Sequence, residues 1–184
     1  RIVHFATRNH TGHAIAVSSP DFADYRREAR GIALVAQDDA AMSLTTEDRA
    51  ERVYGALVSG NYFDVLGVRL ALGRGFLPDE DRVPNARPVV VLSDALWQRR
   101  LDADPAIVGR AVTLNGHRFT VVGVTAPEFI GSWGGVATEL WVPMMMQPTV
   151  AGGKALDKRG DHWMTLIGRL QPGTERTAAQ AELN

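Results

Sequence analysis

Apolar residues recur with the period of a strand in some stretches of this chain and with the period of a short helix in others. The two kinds interleave without long regular crossovers. Ile2 to Ala6 has strand character, and the polar NHTG after it (9–12) reads as a loop. Ser18-Ser19-Pro20-Asp21 predicts a helix start, with a hydroxyl N-cap, a proline in the first turn and an acid that complements the helix dipole. Phe22, Tyr25 and Ala29 share one face of that helix, and Gly31 is expected to end it. Ile32 to Ala36 resumes a strand, and Arg52 to Val58 alternates loosely into VSGNYFDVLG (58–67). There Ser59 or Asn61 can cap one helical turn, Tyr62, Phe63, Val65 and Leu66 face inward, and Gly67 closes it. Gly73-Arg74-Gly75 and PDEDRVPN (78–85) form an irregular connection.

Val89 to Leu92 is a continuous apolar run, as in a buried strand. Ser93-Asp94 caps a helix carrying Leu96, Trp97, Arg100 and Leu101, and Asp104-Pro105 starts a short turn that ends at Gly109. Asn115-Gly116 lies between two alternating runs, Ala111 to Leu114 and His117 to Val124, and predicts a type I′ hairpin because both central positions need positive φ. Leu140 to Val142 is a strand ended by Pro143, after a Gly-rich loop at Gly131 to Gly135. Trp163 to Leu170 is a further strand, Gln171-Pro172-Gly173 a turn, and Thr174 opens a helix with Ala178, Ala179 and Leu183 inward. The fold class is α+β, with small mixed sheets and short helices. Tyr62, Phe63, Leu66, Trp97 and Trp141 are the expected large core residues.

Charge and composition narrow the function more than the fold. Twenty basic against twenty-one acidic residues in 184 leave a net charge of -1, so no overall field favours nucleic acid, anionic lipid or a polyanionic substrate. Binding to such partners requires a local patch. The absence of cysteine excludes disulfides and thiolate metal sites. No run reaches the roughly 18 apolar residues of a membrane span. Both ends read as cut from something longer, since the first residue is not Met and TAAQAELN stops inside a helical pattern.

Candidate chemistry is thin. His10 and His13, with His4 nearby, are the best metal trio, but no carboxylate or fourth ligand sits at recognisable spacing. His117 and His162 flank strands, where a solvated imidazole is ordinary. Gly131-Ser132-Trp133-Gly134-Gly135 has the wrong spacing for a nucleophile elbow, and Gly73-Arg74-Gly75 lacks the third glycine of a dinucleotide fingerprint. Asp79-Glu80-Asp81 lacks the alternating ligands of a calcium loop and reads as a solvated face. Met144-Met145-Met146 reads as a strand end entering the core. No nucleophile, base and orienting group converge.

The spaced structural residues carry more. VSGNYFDVLGVRLALGRGFLPDED, PVVVLSDALWQRR, DPAIVGRAVTLNGHRFTVVGV and ELWVPM, in this order, closely resemble the extracytoplasmic core domain of MacB-type ABC transporter permeases, in the FtsX/MacB superfamily. SSPDFADYRREARG and WMTLIGRLQPGTERTAAQAEL resemble the first helix and the last strand and helix of the same domain. The wording is nearest to the orphan permeases of acidobacteria, in which the permease unit is duplicated.

That resemblance implies a two-lobed domain inserted between the first two membrane helices of a permease half, on the periplasmic side of the bacterial inner membrane. A porter-like lobe (1–56 and 158–184) would come from both chain ends and a sabre-like lobe (57–157) from the middle. It implies no enzyme and no cofactor in this domain, ATP being hydrolysed at a separate nucleotide-binding domain; the chain has no Walker-type glycine loop. The implied role is to pass ATP-driven motion to a substrate or partner outside the membrane. The partners implied are the permease's own membrane helices, an ABC ATPase, and a periplasmic adaptor or extracytoplasmic substrate, with no nucleic acid; the isolated domain is expected to be a monomer. The alternative is a ligand-sensing module attached to a permease, for which Trp133 is the candidate contact residue.

Overall fold

The computed structural model describes residues 2–5, 7–8, 14–46, 49–132, 136–152 and 156–181. In chain order the strands and helices are β1 (Ile2–Phe5), β2 (Thr7–Arg8), β3 (Ala14–Ile15), α1 (Ser19–Glu28), β4 (Ile32–Thr46), β5 (Arg49–Val58), α2 (Tyr62–Leu66), β6 (Leu70–Gly73) and β7 (Val89–Leu92). They continue with α3 (Asp94–Arg100), β8 (Ala111–Leu114), β9 (His117–Thr125), β10 (Leu140–Pro143), α4 (Gln147–Val150), β11 (Thr165–Leu170) and α5 (Arg176–Ala181). The chain divides into two compact units, Arg1–Asp38 with Lys154–Asn184, and Asp39–Gly153. β4 gives its first residues to one and its last to the other.

In the first unit the two chain ends pair. β1 runs antiparallel to β11 (Ile2↔Arg169, Phe5↔Leu166), and β11 runs antiparallel to the start of β4 (Leu170↔Ile32, Thr165↔Gln37). Helix α1 begins as its sequence dictates, the Ser18 hydroxyl accepting from Asp21 N at 3.2 Å. It ends earlier than expected. Ala29 is already extended (φ −63°, ψ 126°), because the chain must turn within Arg30-Gly31 to bring Ile32 into register with Leu170. Phe22 and Ala179 are buried here, whereas Ala178 is exposed, so α5 is rotated from the expected face. Arg159 reaches Asp21 and Asp24, each at 2.6 Å, and ties the segment before β11 to α1.

In the second unit the strands close on themselves. The order β4-β5-β10-β7-β9 is completed by β8, which pairs with both β9 and the end of β4. The ladder mixes parallel pairs (β5 with β10, β7 with β9) and antiparallel ones (β7 with β10, β8 with β9). So small a ring has room only for side chains. Gly55 on β5 makes space for two of them, since a Cβ there would lie 2.7 Å from the Leu140 side chain and 3.2 Å from that of Met42. The Asn115-Gly116 hairpin forms as its sequence requires, with φ of 48° and 80°.

β2, β3 and β6 were not read from the sequence pattern, and β4 was read only in part. β4 runs fifteen residues, well past Ala36, because Gln37-Asp38-Asp39 looks like a break, although Met42 and Leu44 resume a buried alternation. β6 is short and half-exposed, so its LALG shows little periodicity.

VSGNYFDVLG is the corner that roofs β10. Successive β10 side chains alternate in direction, so Leu140 enters the ring while Trp141 faces away from it. Trp141 and Tyr62 are fully buried, and Phe63 is 3% exposed. Phe63 meets Tyr62, Phe76 and Trp141 edge-on at centroid distances of 5.4, 5.4 and 5.8 Å, the geometry that ring quadrupoles favour. Gly67 ends α2 in the left-handed region (φ 64°). Asn61 makes no side-chain cap; instead Ser59 O accepts from Tyr62 N at 2.9 Å. Leu66 and Trp97 are only half-buried, which corrects the expectation for those two; Trp97 lies at the rim, donating from Nε1 to Asp104 O at 3.0 Å. Replacing Phe63 with Ala is expected to cost on the order of 3 to 5 kcal/mol, because it opens a void among the rings of Tyr62, Phe76 and Trp141. A thermal melt of F63A beside the parent measures it, and coincident transitions would refute this account of the corner.

Candidate functional site

The polar residues around the corner hold backbone. Asp81 accepts from Gly60 N at 2.7 Å and from Met145 N at 2.9 Å, joining the turn before α2 to the 3-10 turn after β10. Next to it, Glu80 is 7% exposed and accepts two hydrogen bonds from the Arg74 guanidinium, both at 2.8 Å, and one from Leu77 N at 2.7 Å. Burial pushes the Glu80 carboxyl up, but the Arg74 fork and the Leu77 N–H outweigh it and hold the group below its ordinary value. The acidic run is therefore not a solvated face. Only Asp79 fits that description, exposed and 3.8 Å from Arg87. Tyr62 donates its hydroxyl to Ser132 Oγ at 2.9 Å, and burial pushes its phenol up to about 12.

The other candidates fall apart spatially or lie out of view. His10, His13 and the candidate contact Trp133 lie outside the described residues. His4 is exposed on β1, His117 is exposed at the hairpin, and His162 approaches Asp21 at 3.9 Å. Among the described residues no three His, Cys, Asp or Glu side chains gather where they could hold a metal ion. Met144 and Met146 are 2% exposed core residues in the 3-10 turn, as a strand end entering the core requires.

One concavity among the described residues was not anticipated from the sequence. It is a groove of about 950 Å³ in the second unit, lined by five arginines: Arg49, Arg99, Arg100, Arg110 and Arg118. Its floor is the solvent face of the β4-β8-β9 ladder, where Thr45 pairs with Thr113 and Thr113 with Arg118. Directly opposed residues share a face, so these three side chains leave on the same side, while Leu44, Val112, Leu114 and Phe119 fill the other. The wall is the end of α3 and the turn after it. Arg99 there bonds Glu139 at 2.7 Å and Glu51 at 2.8 Å, which raises its pKa, and Arg110 bonds Asp104 at 2.5 Å. Arg100 Nε is buried 2.7 Å from Glu51 without hydrogen-bond alignment. Among the described residues neither Arg49 nor Arg118 has a carboxylate partner. The hairpin register, which sets Arg118 beside Thr113 on the outward face, was the one signal that could have revealed the floor.

A family model described as the MacB-like periplasmic core domain matches residues 1–184. The chain belongs to this family. Its relatives include the macrolide export ATP-binding/permease proteins MacB of Burkholderia thailandensis, 29% identical over 131 residues (70% of this chain, 19% of that protein), and of Aggregatibacter actinomycetemcomitans, 33% identical over 91 residues (50% and 13%). The chain spans about a fifth of the length of the first of these. Among solved structures it is similar to the periplasmic region of MacB from Actinobacillus actinomycetemcomitans (TM-score 0.71, 18% identity, covering 99% of this chain and 79% of that one). It is also similar to the extracellular domain of the noncanonic ABC-type transporter YknZ from Gram-positive bacteria (TM-score 0.70, 14% identity, 99% and 88%). These two likenesses show that the chain has the fold of those domains. No helix among the described residues is long and apolar enough to cross a membrane.

Two measurements check the clamps of this MacB-like domain. Asp81→Ala leaves the N–H groups of Gly60 and Met145 unpaired and is expected to cost about 2–3 kcal/mol in a urea melt. A cost no larger than that of an exposed Asp→Ala change would remove the clamp. Because the folded Glu80 pKa is depressed, its contribution is present above the unfolded value and is lost as pH falls through the folded one. Glu80→Gln should therefore cost about 1–2 kcal/mol near neutral pH, discounted because Arg74 is half exposed, and the two proteins should converge in acid. Stability curves for parent and E80Q that stay parallel down to acid pH would exclude this.

Proposed function

We propose that this domain is a non-catalytic mechanical element of its permease, passing motion driven by ATP hydrolysis on a separate domain to a substrate or partner outside the membrane. The observation that carries the reading is the antiparallel pair of β1 and β11, which brings strands from both ends of the chain to one sheet of the first unit. Displacements arriving at the two ends then act on one body. On this reading the first unit would serve as the porter-like lobe and the second as the sabre-like lobe; the units divide at Asp38/Asp39 and Gly153/Lys154, whereas the lobes were expected to divide at 56/57 and 157/158. The chain passes between them at those two points, the first lying inside the continuous strand β4. The clamped aromatic corner and the strand ring suit the second unit to move as a rigid piece.

Spin labels test the reading. The chain has no cysteine to remove, and Ala23 on α1 and Ala95 on α3 are exposed, one in each unit. In the full permease with its ATPase in a bilayer disc, A23C/A95C labels are expected to show different inter-unit distance distributions, by pulsed dipolar spectroscopy, in the ATP-bound and nucleotide-free states. The same comparison with one label on each unit and one on the membrane part shows whether either unit moves at all. Unchanged distributions in every pair would overturn the mechanical role.

A further inference from the structure

One motif of the sequence carries a chemistry that lies outside the mechanical reading. Of the five asparagines, Asn115 alone is followed by glycine. Glycine has no Cβ to shield its nitrogen, so in an open chain this pair is the one most prone to attack of the backbone on the neighbouring amide. We propose that Asn115 is a site of spontaneous deamidation that the fold keeps closed, its side-chain amide locked between Ser43 and Val150 until the end of the β8-β9 hairpin opens.

In the reaction Gly116 N adds to Asn115 Cγ. The new C–N bond forms, the Cγ–Nδ2 bond breaks, ammonia leaves carrying the Gly116 proton, and water then opens the succinimide to aspartate or isoaspartate. Closing that ring requires Gly116 N to eclipse Asn115 Cβ across the Cα–C bond. The turn forbids the alignment: φ of 48° and 80° make it type I′, in which ψ of the first residue is about +30° and the next nitrogen points nearly away from Cβ.

The amide is held as well. Its Oδ1 accepts from Ser43 N at 2.7 Å and its Nδ2 donates to Val150 O at 2.6 Å, while Asn115 N donates to Ser43 O at 2.9 Å. A backbone N–H can meet only the oxygen of the amide and a carbonyl only its NH2, so the two partners fix which way it faces. Turning Cγ toward Gly116 N breaks both side-chain bonds, and the change in ψ takes apart the Leu114–His117 pair that the turn closes. Burial is not the protection, since Gly116 is exposed and a Cβ there would meet nothing within 4 Å. Neither product restores the lock. Aspartate presents a carboxylate where Val150 O needs a donor, and isoaspartate runs the main chain through Cβ and Cγ, one atom too long for the two-residue turn.

The 184-residue chain and the peptide TLNGHRF, which cannot form the lock, are incubated side by side in warm, mildly alkaline buffer, and the mass gain at Asn115 is followed after digestion. Deamidation in the folded chain is expected to be at least about tenfold slower than in the peptide, and urea beyond the unfolding midpoint should raise it to the rate of the peptide, as for an event that requires opening. N115G keeps a turn that accepts positive φ at both positions but removes the lock, and N115D installs one product; both should melt several degrees below the parent. Equal rates in folded chain and peptide would overturn the closed site, and N115G melting with the parent would overturn the lock as what closes it.

Discussion

β10 has no polar face, and the second unit is arranged around that constraint. All four of its residues, Leu140 to Pro143, are buried, so both sides of the strand need apolar cover. The strand ring supplies one side, where Gly55 yields space to Leu140 and Met42. The aromatic corner supplies the other, with Phe63 and Phe129 against Trp141 at 5.8 and 5.3 Å. Close-packed interiors leave little room for adjustment, so the position of α2 follows from the size of the Trp141 side chain.

That corner consists of turns and short loops, whose backbone groups have few ladder partners, and the polar side chains answer that need. Asp81 takes two N–H groups from separate segments. Glu139 accepts from Tyr54 N at 2.9 Å while also holding Arg99. Asn115, besides making its turn, accepts from Ser43 N at 2.7 Å and donates to Val150 O at 2.6 Å. Such groups look like candidate chemistry in a sequence because carboxylates and amides serve both purposes. Here their partners are backbone, and they fix segments that the ladders leave unpaired.

The arginine groove stands apart from the buried core of the second unit. Its arginines come from β5, α3, the turn after α3 and β9, and none is needed to fill the core.

What the sequence determined by itself was local. Ser18 and Ser93 cap their helices because a hydroxyl two or three residues before an unpaired N–H is sufficient, and Asn115-Gly116 turns because both residues tolerate positive φ. The corner was legible for a related reason: caps, aromatics and a closing glycine all lie within ten residues of one another. Tertiary structure decided what depends on distant partners. The far half of β4 is a strand because Leu44 and Thr45 meet β8, seventy residues away in sequence, and its own polar composition argues against it. Asp79, Glu80 and Asp81 have one composition and three different roles, set by whether Arg87, Arg74 or the backbone of Gly60 and Met145 lies opposite. The five arginines form a groove only because the ring of strands closes and brings the end of α3 over the β8-β9 hairpin, and no spacing along the chain records that closure.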